Sequence, residues 1–316
     1  MTTTVGTSPA LAFEVEVVAV VRLSPSFLRI TFGGPSLAEF HGGGRLGTRD
    51  LRIKVIIPPP GRRAPAFPDM NDGWYQRWLA MDPSVRGAMR TYTVREARVA
   101  GTHPQVDIDF VIHLDEHGRG GPASTWATSA TVGDETTIIG PNARSEKYGG
   151  IEWDPQDAGG RRPVQVLLAG DETAVPAITS ILESLPEHYR GQAIVEVPVA
   201  EDFQMIRTPA DVEITWLARD SRPQGQLLRG AVRTSLAATP GSAGDSRPLH
   251  EVDIDWEILW ETPDATQTGD AAFYAWIAGE AAMVRDLRRY LVRGCGVDRR
   301  RVAFMGYWRL GKAEAP

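Results

Sequence analysis

The stretch Arg90-Thr91-Tyr92-Thr93 reads as the end of a β-strand and decides how the first part of this chain is interpreted. Side chains alternate along a strand, so Arg90 and Tyr92 share one face. A guanidinium is a forked donor suited to phosphates, and a phenol ring offers a flat partner for another ring system. The hydroxyl of Thr93 follows directly. This combination indicates a barrel strand that contributes to a flavin dinucleotide site.

A second stretch, Asp109-Phe110-Val111-Ile112-His113, belongs to a segment, residues 106–114, that alternates as a barrel strand does. Its backbone is expected to border the flavin ring, which makes Asp109, Phe110 and Val111 candidate cofactor-binding residues. His113 lies at the end of this strand. It contacts the flavin or a phosphate in one interpretation and a backbone carbonyl in the other.

A third stretch, Gly120-Gly121-Pro122-Ala123-Ser124-Thr125-Trp126-Ala127, is predicted to be a turn that runs into a short helix with Ser124 as its N-cap. Backbone N–H groups at such a helix start attract a pyrophosphate, so Gly121, Ala123 and Ser124 are further candidates. Taken alone, this stretch is better explained by a tight turn and a simple cap. The order of all three stretches favours cofactor binding.

Six short segments of alternating character, separated by turn signals, predict an antiparallel β-barrel. These predicted strands are residues 13–21, 28–32, 51–57, 90–95, 106–114 and 135–139. Residues 61–89 interrupt the series, and the helical spacing of their Trp and Tyr side chains predicts a loop with one short packed helix.

Beyond a polar connection at residues 142–163, buried strands alternate with helices. Strands are predicted at residues 164–169, 192–199, 212–217, 272–278 and 302–305, and helices at residues 174–185, 224–236 and 281–293. This alternation predicts a doubly wound α/β domain with a parallel sheet, resembling nucleotide-binding domains. The predicted domains are therefore a barrel at 11–141 and an α/β domain at 163–316, with a flexible insertion of unassigned role at 237–250.

The turn after the first strand of the α/β domain contains Asp171 and Glu172, where a nucleotide phosphate would ordinarily bind. Asp171 or Thr173 is expected to cap the following helix, with Pro176 in its first turn. Two carboxylates at that position would repel a pyrophosphate. We therefore expect nicotinamide binding either to avoid this turn or to be weak.

Near the C-terminus, Tyr307 and Trp308 follow an apolar strand and are expected at its carboxyl end, where open α/β sheets bind their ligands. This aromatic pair is predicted to cover a flavin or to shape the substrate opening, although core packing would also explain it. Arg309 and Lys312 follow immediately and favour the site interpretation.

Composition limits the classes of partner. The chain has 316 residues and a net charge of -6 at pH 7, which excludes an overall field that would gather nucleic acid or anionic membrane. The only cysteine, Cys295, cannot form an internal disulfide or hold an iron–sulfur cluster, and no residue spacing indicates a protein-bound metal. Without a secretory signal or an apolar membrane-spanning run, a cytoplasmic location is expected.

The three stretches quoted first, in this order, resemble the siderophore-interacting proteins, a family of FAD-dependent ferric-siderophore reductases built on the ferredoxin-reductase plan. Four further blocks carry the resemblance in family order: Asp50-Leu51-Arg52-Ile53-Lys54-Val55, Ala169-Gly170-Asp171-Glu172-Thr173-Ala174-Val175-Pro176-Ala177, Trp276-Ile277-Ala278-Gly279-Glu280 and Gly306-Tyr307-Trp308-Arg309. The resemblance implies that the chain binds FAD and that His113 contacts this cofactor. It also implies that the acidic turn faces the flavin, which makes Asp171 and Thr173 candidate cofactor-binding residues.

The resemblance also implies an activity, in which NAD(P)H reduces FAD and the flavin passes single electrons to chelated Fe(III), so that Fe(II) is released. Ferric siderophores are anionic and bulky, so Lys54, Arg309 and Lys312 are candidate substrate-binding residues, although surface cations are common. Outer-sphere electron transfer requires no catalytic acid or base. Two alternatives remain: a protein that binds flavin or ferric siderophore without turnover, and a flavin reductase supplied by ferredoxin.

Overall fold

The structure is a computed structural model and describes residues 8–67, 70–114, 117–147, 149–155, 163–237, 258–263 and 273–312. The chain divides between Ile151 and Glu152 into two compact units. Each unit has its own sheet and its own hydrophobic core. The predicted insertion at 237–250 lies outside the described residues except for its first residue. None of the described helices is long and apolar enough to cross a membrane.

The first unit is the predicted antiparallel barrel. Its six strands are β1 (Ala10–Arg22), β2 (Phe27–Gly33), β3 (Arg52–Ile57), β4 (Ala88–Arg98), β5 (Gln105–Val111) and β6 (Glu135–Pro141). They close in the order β1-β2-β5-β4-β3-β6, with every neighbouring pair antiparallel. The fold prediction for this unit is confirmed.

Alternation of side chains produces the barrel core. In β1, Val15 and Val17 are buried while Glu14 and Glu16 beside them are exposed, because successive side chains point to opposite faces. The buried set is dominated by large apolar side chains contributed by all six strands. Burying such side chains, at about 1.5–3 kcal/mol each, is the main force that closes the barrel.

Two short helices, α1 (Trp74–Ala80) and α2 (Pro83–Arg86), interrupt the barrel strands between β3 and β4. Trp78 of α1 is fully buried in a satellite core with Ile56, Met89 and Ile139. The guanidinium of Arg86 lies 4.6 Å from the centroid of the Trp78 ring, a cation–π contact. The predicted packed helix in this segment is therefore present. A third helix, α3 (Pro122–Ser129), precedes β6.

The second unit is the predicted α/β domain. Its strands are β7 (Val164–Gly170), β8 (Tyr189–Val197), β9 (Asp211–Ala218), β10 (Trp260–Glu261), β11 (Phe273–Glu280) and β12 (Val302–Trp308), and its helices are α4 (Val175–Ser184), α5 (Gln226–Ala237) and α6 (Ala281–Arg289). The sheet order is β10-β12-β11-β7-β8-β9, and all neighbours are parallel except β10 with β12. The strand order reverses between β7 and β11, so the ligand crevice of this fold class lies outside their carboxyl ends.

Helices cover both faces of this sheet, as double winding requires. Leu228 of α5 and Leu287 of α6 belong to one core with Leu167 of β7. Gly170 points to the opposite face from Leu167, and a Cβ on Gly170 would lie 3.2 Å from Ile178 of α4. Helix α4 therefore packs on the second face.

Several boundaries differ from the prediction. Strand β5 ends at Val111 rather than residue 114, so His113 lies beyond the strand, and the stretch 90–93 lies inside β4 rather than at the end of a strand. Strand β8 begins at Tyr189 rather than residue 192, and its Gly191 approaches β7 so closely that a Cβ there would lie 2.0 Å from the carbonyl oxygen of Val166. Glycine in a strand normally weakens the pattern, which hid these residues. Strand β10 was not predicted, since two residues give no period. Helix α6 continues into a π-helical turn at Tyr290–Gly294, which completes the predicted segment 281–293.

Candidate functional site

The structure brings the three predicted stretches of the barrel unit together. The ring centroids of Tyr92 on β4 and Phe110 on β5 are 4.3 Å apart, and Phe110 lies 5.8 Å from Trp126 on α3. The Ser124 hydroxyl accepts a hydrogen bond from the His113 amide at 3.2 Å and donates to the Val111 carbonyl at 3.4 Å. Residues from β4, the end of β5 and the start of α3 therefore form one cluster.

The start of α3 differs from the prediction that Ser124 is its N-cap, which is wrong. The helix begins at Pro122, and the N-cap is Gly121, which has no side chain to cap it. Proline favours this first position because its φ is already helical and its missing N–H is not needed there. Ser124 is therefore the third helical residue, and its hydroxyl is used toward the end of β5.

An uncapped start leaves donors for a ligand. By helix geometry, the amides of Ala123 and Ser124 have no carbonyl partner within α3. A Cβ added to Gly121 would meet no atom within 4 Å, so the space beside the N-cap residue is open. Aligned amides and the helix dipole favour an anion at this position. The residues present here therefore fit the pyrophosphate of a flavin dinucleotide.

Gly120 allows the turn to approach the end of β5. A Cβ on Gly120 would lie 2.8 Å from the His113 carbonyl oxygen and 2.9 Å from the Ser124 Cβ, both too close. Leu114 and Gly120 form an isolated antiparallel bridge at this point. The glycine pair thus has two roles, since Gly120 permits packing and Gly121 leaves the helix start open.

The remaining β4 candidates lie on two faces. Tyr92 pairs with Ile53 of the barrel core, so Arg90 and Tyr92 face that side, and the Arg90 guanidinium donates to the Met89 carbonyl at 2.8 Å. Thr93 is buried and points to the other face by alternation. Lys54 shares this second face, because its ammonium donates to Thr91 at 2.6 Å. The structure thus does not bring Lys54 to the face of Tyr92.

Asp109 is held by an ion pair that the sequence did not reveal. Its carboxylate accepts two hydrogen bonds from Arg29, at 2.6 and 2.8 Å, and only 1% of its side chain is exposed. Next to it, Asp107 accepts hydrogen bonds from Thr31 and from both terminal nitrogens of Arg98. Only the backbone of Asp109, which is the part assigned to the flavin, is left for a ligand.

In the α/β unit, the Asp171 carboxylate is the centre of a buried hydrogen-bond network. It follows β7 and is 0% exposed. It accepts five hydrogen bonds. The donors are the Thr173 backbone amide at 2.9 Å, the Thr173 hydroxyl at 2.5 Å, the Gln224 side-chain amide at 3.1 Å, the Glu280 backbone amide at 2.7 Å and the Trp308 indole N–H at 2.9 Å. Burial, followed by the charge of Glu172, raises the pKa of Asp171 to about 7, although these donors oppose the shift.

Glu172 is also fully buried, in a two-bond ion pair with Arg219. The bonds measure 2.6 and 2.8 Å, and 15% of the Arg219 side chain is exposed. The sequence led us to expect two carboxylates presented to a pyrophosphate at this turn. Instead both point inward, because Arg219 and the donors around Asp171 lie behind the turn. Asp171 caps the following helical turn, as expected.

Tyr307 and Trp308 lie in the last two positions of β12, at the carboxyl end of the sheet. The Tyr307 ring stacks on Trp260 of β10 at 5.9 Å and meets Trp276 edge-on at 6.3 Å. The indole N–H of Trp308 donates a hydrogen bond to the Asp171 carboxylate. Arg309 and Lys312 bracket the tight turn that follows, and Lys312 is exposed.

Comparisons with known proteins agree with this architecture. A model described as the siderophore-interacting FAD-binding domain matches residues 16–145, and one described as siderophore-interacting protein matches residues 163–311. An uncharacterized protein of Mycobacterium tuberculosis is 30% identical over 314 residues, which cover 97% of this chain and 92% of that protein.

Two characterised relatives are similar over nearly the whole chain. The ferric vibriobactin reductase ViuB of Vibrio cholerae is 27% identical over 292 residues, which cover 92% of this chain and 87% of the reductase. The crystal structure of the siderophore-interacting protein SipS from Aeromonas hydrophila matches with a TM-score of 0.64 and 29% identity, covering 96% of this chain and 93% of that one. Both domain models and these full-length matches show that the chain belongs to the siderophore-interacting protein family.

Proposed function

We propose that this protein is a ferric-siderophore reductase, which uses FAD to pass electrons from a reduced donor to chelated Fe(III) and so releases Fe(II). The observation that carries the proposal is the cluster on the barrel unit, where an uncapped helix start adjoins the Tyr92–Phe110 ring pair. A phosphate-binding helix start beside an aromatic surface is what a flavin dinucleotide requires.

Each cluster residue has a proposed task. The amides of Ala123 and Ser124 bind the pyrophosphate, and the Arg90 guanidinium adds a permanent positive charge on the Tyr92 face. Tyr92 packs against the isoalloxazine ring, and the backbone after Phe110 borders it. Bound FAD supplies the conversion between two-electron and one-electron transfer. The protein supplies position and charge.

The substrate is proposed to be a ferric siderophore, in keeping with the family and with the name of the ViuB reductase. Lys312 is exposed, and Arg309 precedes it in the same turn, so both side chains start near the end of β12. Cations suit catecholate and carboxylate chelates, which are anionic. Lys54 stays a candidate, with its ammonium on the outer face of the barrel beside Thr91.

The proposed donor is NAD(P)H. A ferredoxin-supplied flavin reductase is the alternative, as is a protein that binds without turnover. Anaerobic mixing of the FAD-loaded protein with NADH, NADPH or reduced ferredoxin, followed by flavin absorbance, distinguishes these donors. Adding a ferric tris-catecholate with a ferrous-chelating dye then tests reduction of iron. Protein that binds FAD but whose reduced flavin is not reoxidised by any ferric chelate would contradict the reductase proposal.

The flavin site itself is tested by substitutions at Gly121, whose position accepts a Cβ without contact. Gly121→Asp places a carboxylate where the pyrophosphate is proposed to bind, and it also caps α3, which stabilises a helix by about a few tenths of a kcal/mol relative to glycine. We expect a more stable apoprotein with FAD affinity reduced by about tenfold or more, equivalent to about 1.4 kcal/mol. Gly121→Asn caps without charge, and Gly121→Ala is the control that leaves affinity unchanged. Equal FAD affinity in all three variants would move the pyrophosphate elsewhere.

A further inference from the structure

The turn that joins β7 to α4, Asp171 followed by a 3-10 turn at Glu172–Ala174, lies where a doubly wound sheet usually binds a dinucleotide phosphate, at the strand-order reversal. In this chain three amides of the turn that leads into α4 are already bonded. The amide of Thr173 donates to the Asp171 side chain at 2.9 Å, and that of Ala174 donates to the Asp171 carbonyl at 2.9 Å. The amide of Val175 donates to the Glu172 carbonyl, and Pro176 has no N–H.

The surrounding backbone is shaped around the same carboxylate. Gly279, at the end of β11, has φ of +141°, and a Cβ there would lie 2.6 Å from the Asp171 carboxyl group. The next amide, of Glu280, donates to that carboxylate at 2.7 Å. A glycine at this position lets β11 approach a buried anion that belongs to the protein itself.

The two other described helices that start on this edge repeat the arrangement. Glu196 of β8 is fully buried and accepts hydrogen bonds from the amides of Gly225 and Leu228 at the start of α5, at 2.6 and 2.9 Å. Glu280 caps α6 by accepting from the Met283 amide at 2.9 Å. Three helix starts are thus each filled by an internal carboxylate, whereas α3 of the barrel unit has none.

We infer that the Asp171 carboxylate is a built-in anion that fills the phosphate position of this α/β unit, so that a dinucleotide donor does not place its pyrophosphate at the β7–α4 turn. The five donors around Asp171 form an anion receptor whose ligand is covalently part of the chain. This inference rests on the proposed function only in assuming that a reductant is needed. The donor must then be recognised by other groups than the first turn of α4.

The inference can be tested by a substitution that removes the carboxylate from its five donors. Asp171→Ala removes the carboxylate and leaves the donors from Thr173, Gln224, Glu280 and Trp308 facing a small cavity. Formate and inorganic pyrophosphate are the probes, compared with chloride at equal ionic strength. We expect the variant to gain thermal stability with formate, which has the size of the removed carboxylate, and to bind formate about tenfold or more tightly than the unmodified chain. Pyrophosphate is larger than this buried cavity and is expected not to bind there. The matched control is Asp211→Ala, which removes an exposed carboxylate elsewhere in the unit.

The unmodified chain gives a second readout that does not depend on the variant folding. The indole N–H of Trp308 donates to Asp171 and reports this site directly in ¹⁵N-labelled protein. We expect no saturable shift of its resonance with pyrophosphate, NAD⁺ or NADP⁺. A saturable shift, or a variant that folds but does not bind formate, would overturn the inference.

The outcome is separable from that of the proposed function. Flavin reduced with dithionite requires no nicotinamide, so its reoxidation by a ferric tris-catecholate tests the reductase proposal alone. If the flavin is not reoxidised and the Trp308 resonance shows no saturable shift, the reductase proposal is refuted while the inference about Asp171 is supported. If the flavin is reoxidised normally and pyrophosphate shifts the Trp308 resonance, the reductase proposal is supported and the inference about Asp171 is refuted.

Discussion

Replacing Glu172 with Gln is the sharpest test of how the acidic turn is stabilised. The side chain is 0% exposed and forms two hydrogen bonds to Arg219, at 2.6 and 2.8 Å. Glutamine keeps the size but removes the charge and turns one acceptor into a donor that faces the guanidinium. Leaving a cation without its partner in a buried pair typically costs about 3–5 kcal/mol. We expect a loss of that order in the α/β unit.

Hydrogen exchange of peptides from β7 and β9 measures this loss locally, since the two units need not unfold together. Glu187→Gln is the control, because Glu187 is exposed and near the end of α4. The double variant with Arg219→Gln should lose less than the sum of the single variants, since neither then leaves a charge unpaired. A change below about 1 kcal/mol in Glu172→Gln would refute the reasoning that this pair holds the turn.

The same variant carries a pH signature. Asp171 has a folded pKa of about 7 and an ordinary value of 3.8, so its contribution to stability is complete below about pH 4 and is lost as the pH rises through 7. Because the charge of Glu172 contributes to this raised pKa, Glu172→Gln should lower it. The pH at which stability falls is therefore expected to move down. An unchanged midpoint would mean that burial alone sets the pKa.

Three further predictions concern other parts of the molecule. Burial raises the pKa of Asp107, but the hydrogen bonds from Arg98 and Thr31 outweigh this effect and bring the pKa below 3.8. The barrel should therefore lose stability as the pH falls through that lowered pKa. In acid unfolding, Asp107→Asn should make this loss smaller. Phe110→Ala should destabilise the barrel by about 3–5 kcal/mol and weaken FAD binding, measured by chemical unfolding and FAD titration. Gly279→Ala should cost more than about 1 kcal/mol in thermal unfolding, because φ is +141° and the new Cβ would collide with a buried carboxyl group.

Local patterns were sufficient to predict both architectures. Residues such as Val15 and Val17 alternate with glutamates, and this period of two places them inside a barrel without any knowledge of their partners. The apolar run at 164–169 similarly indicated a strand buried on both faces. The Gly-Gly-Pro turn and the Arg-Thr-Tyr-Thr stretch were informative because glycine, proline and strand alternation fix backbone geometry directly.

Long-range partners were not predictable from these patterns. Asp109 binds Arg29 across 80 residues, and Trp308 binds Asp171 across 137. Nothing local distinguishes a buried, paired carboxylate from an exposed one, so the acidic turn was interpreted as a surface charge. Ser124 was predicted to be the N-cap because serine prefers that position, whereas Pro122 places the N-cap three residues earlier, at Gly121. Here backbone restriction outweighed side-chain preference.

Helix α3, whose N-cap is Gly121, and the helical turn before α4, which Asp171 caps, differ in how a single substitution changes them. A single substitution is enough to fill the uncapped start of α3, because a Cβ at Gly121 meets no neighbour. The Asp171 position responds differently, because removing its carboxylate leaves donors from four residues without their acceptor. One substitution at Gly121 is therefore expected to block the start of α3 at little cost in stability, whereas one at Asp171 leaves several buried donors unsatisfied.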